Sequence, residues 1–380
     1  TSSSAFNARV DGGSWNYNLP MQNSPGNTDL VDSFSLYYAD DYSGTGNENA
    51  YWKQTTSVEN LGTLDFGGTT ATTPGYINDG LAADSTSTVS ANKLFKFGTH
   101  TLTLVWTNDF SGGTQIEAGT LQAGHDRAFG AVPGSADADN IIIWGGATLA
   151  LTNTFSFAAN RGFTIDNAGN GIITVASAHI GTIAGIITSD ASTEGIIKIG
   201  DGGLTLSGAN TYIGSTFISN GVLRISHGTG LGTTAGNTTV LPNSALELTG
   251  GISSAEPLVL LGVGVSGAGA IRNISGNNTN SGTISLSGNG TVGVDSSSDA
   301  LTLSGVISAS SATNNFSKTG VGVLHLTANN SFGSQLVISG GVVSVSSINS
   351  SASANQPLGA RSSSPSVRLG STAFSGSDRG

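Results

Sequence analysis

A chain of 380 residues is long enough for a sizeable core, arranged as two or three ordinary domains or one elongated one. Glycine fills 56 positions, about 15% against a usual ~7%, and charged residues supply 10% against ~25%, so helices lose their usual surface residues and short pleated strands are favoured. Hydrophobic residues at 37% are too many for a disordered chain, while a net charge of −11, thirteen scattered bases and no cysteine exclude nucleic-acid and anionic-membrane partners, disulfides, Cys-zinc sites and thiol nucleophiles.

The chain begins at Thr1 without a basic, apolar leader and reads as processed or truncated. Residues 1–97 hold six of the seven tyrosines (Tyr17, Tyr37, Tyr38, Tyr42, Tyr51, Tyr76), with Trp15, Trp52 and the acids Asp29, Asp32, Asp40, Asp41 and Glu48. A stack of coils needs something bulky over its first rung, so this segment is expected to be an N-terminal cap or interaction region, β-rich in its own right. An aromatic sugar-binding or subunit-docking surface is the sharper alternative. No later run reaches the ~18 apolar residues of a spanning helix; Ile141–Leu151 stops early, and no membrane insertion is expected.

From residue 98 onward the sequence repeats. Anchored on Leu104, Leu206 and Leu326, the same residue types recur without gaps: Asn108, Asn210 and Asn330, then Phe110, Tyr212 and Phe332, then Ile116, Ile218 and Ile338, then Gly119, Gly221 and Gly341. Gly130 and Gly232 follow at one offset, and Gly359 comes seven positions late, which places an insertion in the Ser-rich stretch before Gln356. Between these points apolar residues alternate over three to five positions, as in Leu204-Thr-Leu206, Leu246-Glu-Leu248 and Leu301-Thr-Leu303, broken by Gly, Asn and Ser. Strands this short bury an apolar face only when stacked, which predicts an all-β parallel β-helix, or solenoid, of units 98–199, 200–319 and 320–380. At ~4.8 Å per coil and roughly 20–25 residues per turn, the rod would be on the order of 75–90 Å long.

The run Gly203-Leu-Thr-Leu-Ser-Gly-Ala-Asn-Thr-Tyr-Ile-Gly-Ser-Thr-Phe-Ile-Ser-Asn-Gly-Val-Leu-Arg-Ile225 resembles the autotransporter-associated β-strand repeat of bacterial surface passenger domains. The segments 269–286 and 318–326 resemble the flanks of that repeat, and the likeness covers about residues 98–370. The resemblance implies a right-handed parallel β-helix outside a cell. The third copy departs from the pattern, with Ser334 where the others have Gly112 and Gly214.

Motifs that would carry chemistry are sparse. Gly262-Val-Gly-Val-Ser-Gly267 spells a phosphate-loop pattern, but no helix is expected to follow it, so it reads as a turn. His100, His125, His179, His227 and His325 show no metal-binding spacing, and His325, alternating with leucines, should face solvent. Asp137, Asp139 and Asn140, and Asp295 with Asp299, are the candidates for a loop cation; Asp201, Glu247 and Glu256 are candidates for paired carboxylates only in the weak sense that acids on neighbouring coils can approach by accident. The repeated asparagines read as turn-forming, coil-bracing residues tolerant of left-handed backbone, and the repeated aromatics as fillers beneath a turn.

The expectation is therefore a non-catalytic extracellular structural or adhesive β-helix of a bacterial surface, secreted or surface-bound, with no catalytic, cofactor or metal residues. Its partners are expected to be surface glycans, proteins or copies of itself in a head-to-tail filament. A polysaccharide lyase or glycosidase on the same fold, and a phage tail fibre or spike, are the competing classes. Reducing-sugar release would mark the first and a trimeric mass the second.

Overall fold

The computed structural model describes most of residues 93–360, the strand Val367–Leu369 and, before residue 93, the strand segments Phe6–Asn7, Asn18–Leu19, Ser35–Ala39 and Asn49–Lys53. Positions 97, 98, 100, 105, 106, 109, 190, 192, 334 and 349–354 fall outside it. The aromatic and acidic side chains of the expected cap, and His100, lie outside the described residues.

The chain forms two compact units, residues 1–188 and 189–380, and in each the described residues from 93 onward wind as a parallel β-solenoid. Among the described residues the helical segments are two short 3-10 turns, Asp126–Phe129 and Val265–Gly267. The second of these holds the end of the glycine motif; no α-helix follows it, so it offers no helical anion site.

In the first unit, alternation does what the sequence demands. Thr101–Leu104 buries Leu102 and Leu104 and turns Thr101 and Thr103 outward. Leu102 then stacks on Leu121, Leu121 on Leu149 and Leu149 on Ile173, each pair in parallel register. A second sheet runs from Leu94–Lys96 through Thr114–Ile116, Asp137–Trp144 and Arg161–Asp166 to Ile187–Thr188. The antiparallel hairpin of Ser35–Ala39 and Asn49–Lys53 adds to this sheet at Leu94–Lys96. A third side, Phe155–Phe157 with Ile180–Ile183, begins only two coils later. Arg161 is fully buried beside it and ties the coil together, donating to Asp126 at 2.8 Å and to the carbonyl oxygens of Phe129 and Gly130 at 3.1 and 3.0 Å.

The second unit has three parallel sheets. One stacks Ile196–Ile199, Thr216–Ile218, Thr238–Val240, Leu258–Leu260, Ile284–Leu286 and Ile307–Ala309. The next begins Gly203–Leu206, Gly221–Ile225, Ser244–Thr249, Ile271–Ser275 and Gly290–Val294. The last runs from Ser253–Ser254 to Val342–Val345. Leu204, Leu223, Leu246, Ile271 and Val292 form one interior column, every member 0 or 1% exposed. Each such side chain withdraws from water at about 1.5–3 kcal/mol, and the column as a whole fixes the register, because a slip of one residue would turn it outward.

Candidate functional site

The three sequence repeats build the same object three times: two successive coils with strands on two sides and a loop in place of the third. In the second copy the strands are Ile196–Ile199 and Gly203–Leu206, then Thr216–Ile218 and Gly221–Ile225. Residues 207–215 and 226–237 form the two stacked loops.

A lysine occupies the core of each copy. Lys96, Lys198 and Lys318 share strand parity with Leu94, Ile196 and Phe316, so they point inward, and they are 5, 0 and 0% exposed. Each stacks directly on the isoleucine of the next rung: Ile116, Ile218 and Ile338. The ammonium then bends to the corner between two strands. Lys198 donates to the carbonyl oxygens of Ile199, Gly200 and Asn220 at 2.9, 2.7 and 3.1 Å. Lys318 repeats this with Thr319, Gly320 and Gly340 at 2.7, 2.9 and 3.1 Å, and Lys96 reaches Ala118 at 2.9 Å. The last carbonyl belongs to the following coil in every case, so one cation pins two turns. Burial lowers the pKa of all three lysines to about 8, which leaves the ammonium form at neutral pH. The corner itself requires left-handed backbone, and Gly119, Gly221 and Gly341 supply it with φ of 65, 67 and 69°.

The sequence reading missed these lysines by treating the bases as scattered. Each stands eight positions before its anchor leucine, a spacing present in the chain all along.

The repeated asparagines brace coils, although not through left-handed backbone, because none of them has positive φ. All three are buried, and their Nδ2 groups donate across to the next loop, from Asn108 to Ala128 O, from Asn210 to Gly230 O and from Asn330 to Pro357 O, each at 2.7 Å. Phe110, Tyr212 and Phe332 fill the space beneath, at most 1% exposed. Gly130, Gly232 and Gly359 cross directly over these rings with φ of 91, 82 and 88°, and a Cβ on any of them would collide with the aromatic residue's carbonyl oxygen and ring. Gly359 thus takes the place of Gly130 and Gly232 across the seven-residue insertion. Replacing Gly232 by Ala should cost at least about 2–4 kcal/mol, through a left-handed β-carbon and a backbone clash together, read as a shift of the denaturation midpoint at unchanged slope.

The weak carboxylate candidates go to separate partners. Glu247 lies on the outer face between Arg224 and Arg272, accepting from them at 2.7 and 3.1 Å, and Arg272 continues to Asp295 at 2.8 Å. This ladder of alternating charge crosses neighbouring rungs. Its arginines are 35% exposed and the carboxylate they share is 4% exposed, so the ladder is half-buried. Asp201 accepts from Asn220 Nδ2 at 2.6 Å. Glu256 turns inward instead, 3% exposed, and accepts from Thr238 Oγ1 at 2.9 Å. Burial raises its pKa to about 8. Tyr212 OH meets Thr216 Oγ1 at 2.7 Å on the rung beside Thr238, and burial raises the phenol as well.

The candidate residues for a loop cation go to other partners. Asp137, Asp139 and Asn140 open a strand rather than a loop, and their side-chain oxygens accept from one another, from Thr164 and from Arg161. Asp299 accepts from the Gly276 amide at 2.9 Å, apart from Asp295 on the ion ladder. His325 lies half-buried on the outer face between buried Leu324 and Leu326, and no group of three metal-ligating side chains occurs among the described residues.

The Passenger-associated-transport-repeat model matches residues 94–123, 196–225 and 316–345, the same three stretches that carry the lysine corner and its two-sided coils. Over 129 residues, 33% of the chain, the sequence is 40% identical to the Adhesin BmaC autotransporter of Brucella suis biovar 1 (strain 1330). The match spans 4% of that much longer protein. No solved structure matches. With its strands stacked in parallel coils and the repeat matched three times, the chain is a parallel β-solenoid that carries the Passenger-associated-transport-repeat in three copies.

Proposed function

We propose that the chain is a segment of a bacterial extracellular adhesin, a non-catalytic β-helix that carries contacts on a rigid scaffold. The observation behind this reading is the threefold passenger repeat, each copy wound in parallel coils, joined by likeness to a protein whose name is adhesin. The chemistry of the surface agrees with it: the ion ladder neutralises its own charges, and other outward positions carry short hydroxyl side chains such as Thr279 and Thr302. Surface glycans or proteins are the partners. The reading is tested by coating beads with the purified chain and measuring retention on mammalian cells and on immobilised glycans. Binding that saturates and is competed by free protein is expected; retention no greater than on beads coated with an unrelated acidic protein sinks it.

Head-to-tail filament growth is the narrower part of this proposal. Among the described residues, Val342–Val345 has one neighbour in its sheet, and its inward Val343 and Val345 are only half-buried. Electron micrographs at high protein concentration decide it, with monodisperse particles counting against a filament.

A further inference from the structure

The adhesive reading does not explain why the repeat omits a strand. Among the described residues of the second unit, Ile307–Ala309 is the terminal strand of its sheet. The next rung on that side would fall within residues 327–335, and the described residues there, 327–333 and 335, form no strand but a loop. Its Asn330 Oδ1 accepts from the Ile307 amide at 2.8 Å, and the Ser331 amide donates to Ile307 O at 2.9 Å. Both ladder groups that Ile307 offers to a further strand are therefore closed by the loop.

The loop is itself held in place. Asn330 Nδ2 donates to Pro357 O at 2.7 Å, and the backbone of Asn330 forms a two-bond antiparallel bridge with Gln356, with N–H···O distances of 3.0 and 3.3 Å. Phe332 packs beneath it at 5.4 Å between ring centroids from Phe316. The other copies show the complementary event, the start of a sheet. The sheet opening at Ser253–Ser254 begins only after the two loops of the second copy, and the one opening at Phe155–Phe157 begins only after those of the first.

We propose that each repeat is a sheet terminator, which interrupts one side of the solenoid for two coils and caps the edge left behind through its asparagine and the loop backbone. An uncapped parallel edge is a template for lateral pairing with another chain, and a long solenoid presents that hazard wherever a sheet stops. The asparagine suits the task because a single side chain carries both an acceptor for the edge amide and a donor for the next loop.

Site-resolved hydrogen exchange on the full chain tests the proposal without disturbing it. The Ile307 amide, at a sheet end, should exchange within about tenfold of the Ile284 amide, which is bonded inside the ladder to Val306 O at 2.9 Å. Exchange at Ile307 near the rate of an unstructured peptide overturns the proposal. In Asn330→Ala, Ile307 should exchange at least about a hundredfold faster while Ile284 changes little, since a general loss of stability would accelerate both. Equal acceleration at the two positions, or none at Ile307, also overturns it. Should that variant fail to fold, the wild-type comparison decides alone.

Discussion

Replacing Glu256 by Gln should make the protein more stable at pH 8 and remove most of the pH dependence of its unfolding between about pH 4.5 and 8. The carboxyl is buried beside Thr238 and Tyr212, and burial raises its pKa from the ordinary 4.5 to about 8. Across that window the folded chain holds a proton that the unfolded chain has released, so unfolding becomes easier as pH rises. The contribution is complete below about pH 4.5 and is lost as pH climbs through 8. At about 1.4 kcal/mol per pH unit, the loss approaches 5 kcal/mol as an upper bound. Glutamine keeps an oxygen for the Thr238 hydroxyl and is neutral throughout, so the variant should match the wild type near pH 4.5 and exceed it by several kcal/mol at pH 8. Denaturant titrations at three pH values measure this, and superimposable profiles for the two proteins would refute it. Because coils couple mainly to their neighbours, the effect should be felt first around Leu258–Leu260 and Thr238–Val240.

Lys318→Met should destabilise the protein at neutral pH by about 2–4 kcal/mol. Two effects oppose each other here. Methionine fills the space of the lysine stem and avoids burying an ammonium, a saving of about 3 kcal/mol for a pKa lowered from 10.5 to about 8. Against this, the carbonyl oxygens of Thr319, Gly320 and Gly340 lose a charged donor. Bonds to charged groups contribute about 1.5–3 kcal/mol each, so three of them outweigh the saving. Lys198→Met should behave alike, having the same three bonds. A variant as stable as the wild type would show that the corner is held by its glycine and the backbone alone.

Much of this architecture was legible beforehand because stacked coils are nearly one-dimensional: what a rung requires of its residues recurs at each repeat. The alternation of Leu204-Thr-Leu206 foretold which side chains face inward, and the late arrival of Gly359 foretold an insertion that the structure bridges by seating that glycine over Phe332. The lysines stood in the sequence only as members of a scattered set of bases, and a cation in a core is unusual. Parity argued otherwise: Phe316-Ser-Lys318 places the lysine on the same face as the phenylalanine. The asparagines were identified as braces, but their target, a carbonyl oxygen twenty or twenty-seven residues onward, depends on how loops stack and has no local signature.

By itself the amino-acid sequence determined that this protein is a parallel β-solenoid with three copies of one repeat, because strands of three to five alternating residues have no other way to bury their apolar side. Only the tertiary structure decided that each repeat drops a strand from one side, that Lys96, Lys198 and Lys318 enter the core, and that Glu256 meets a threonine hydroxyl while Glu247, equally buried, is shared between two arginines. The physical reason is that these outcomes depend on the rung above and below, whose carbonyls and charges come within 3.1 Å only once the coils have stacked.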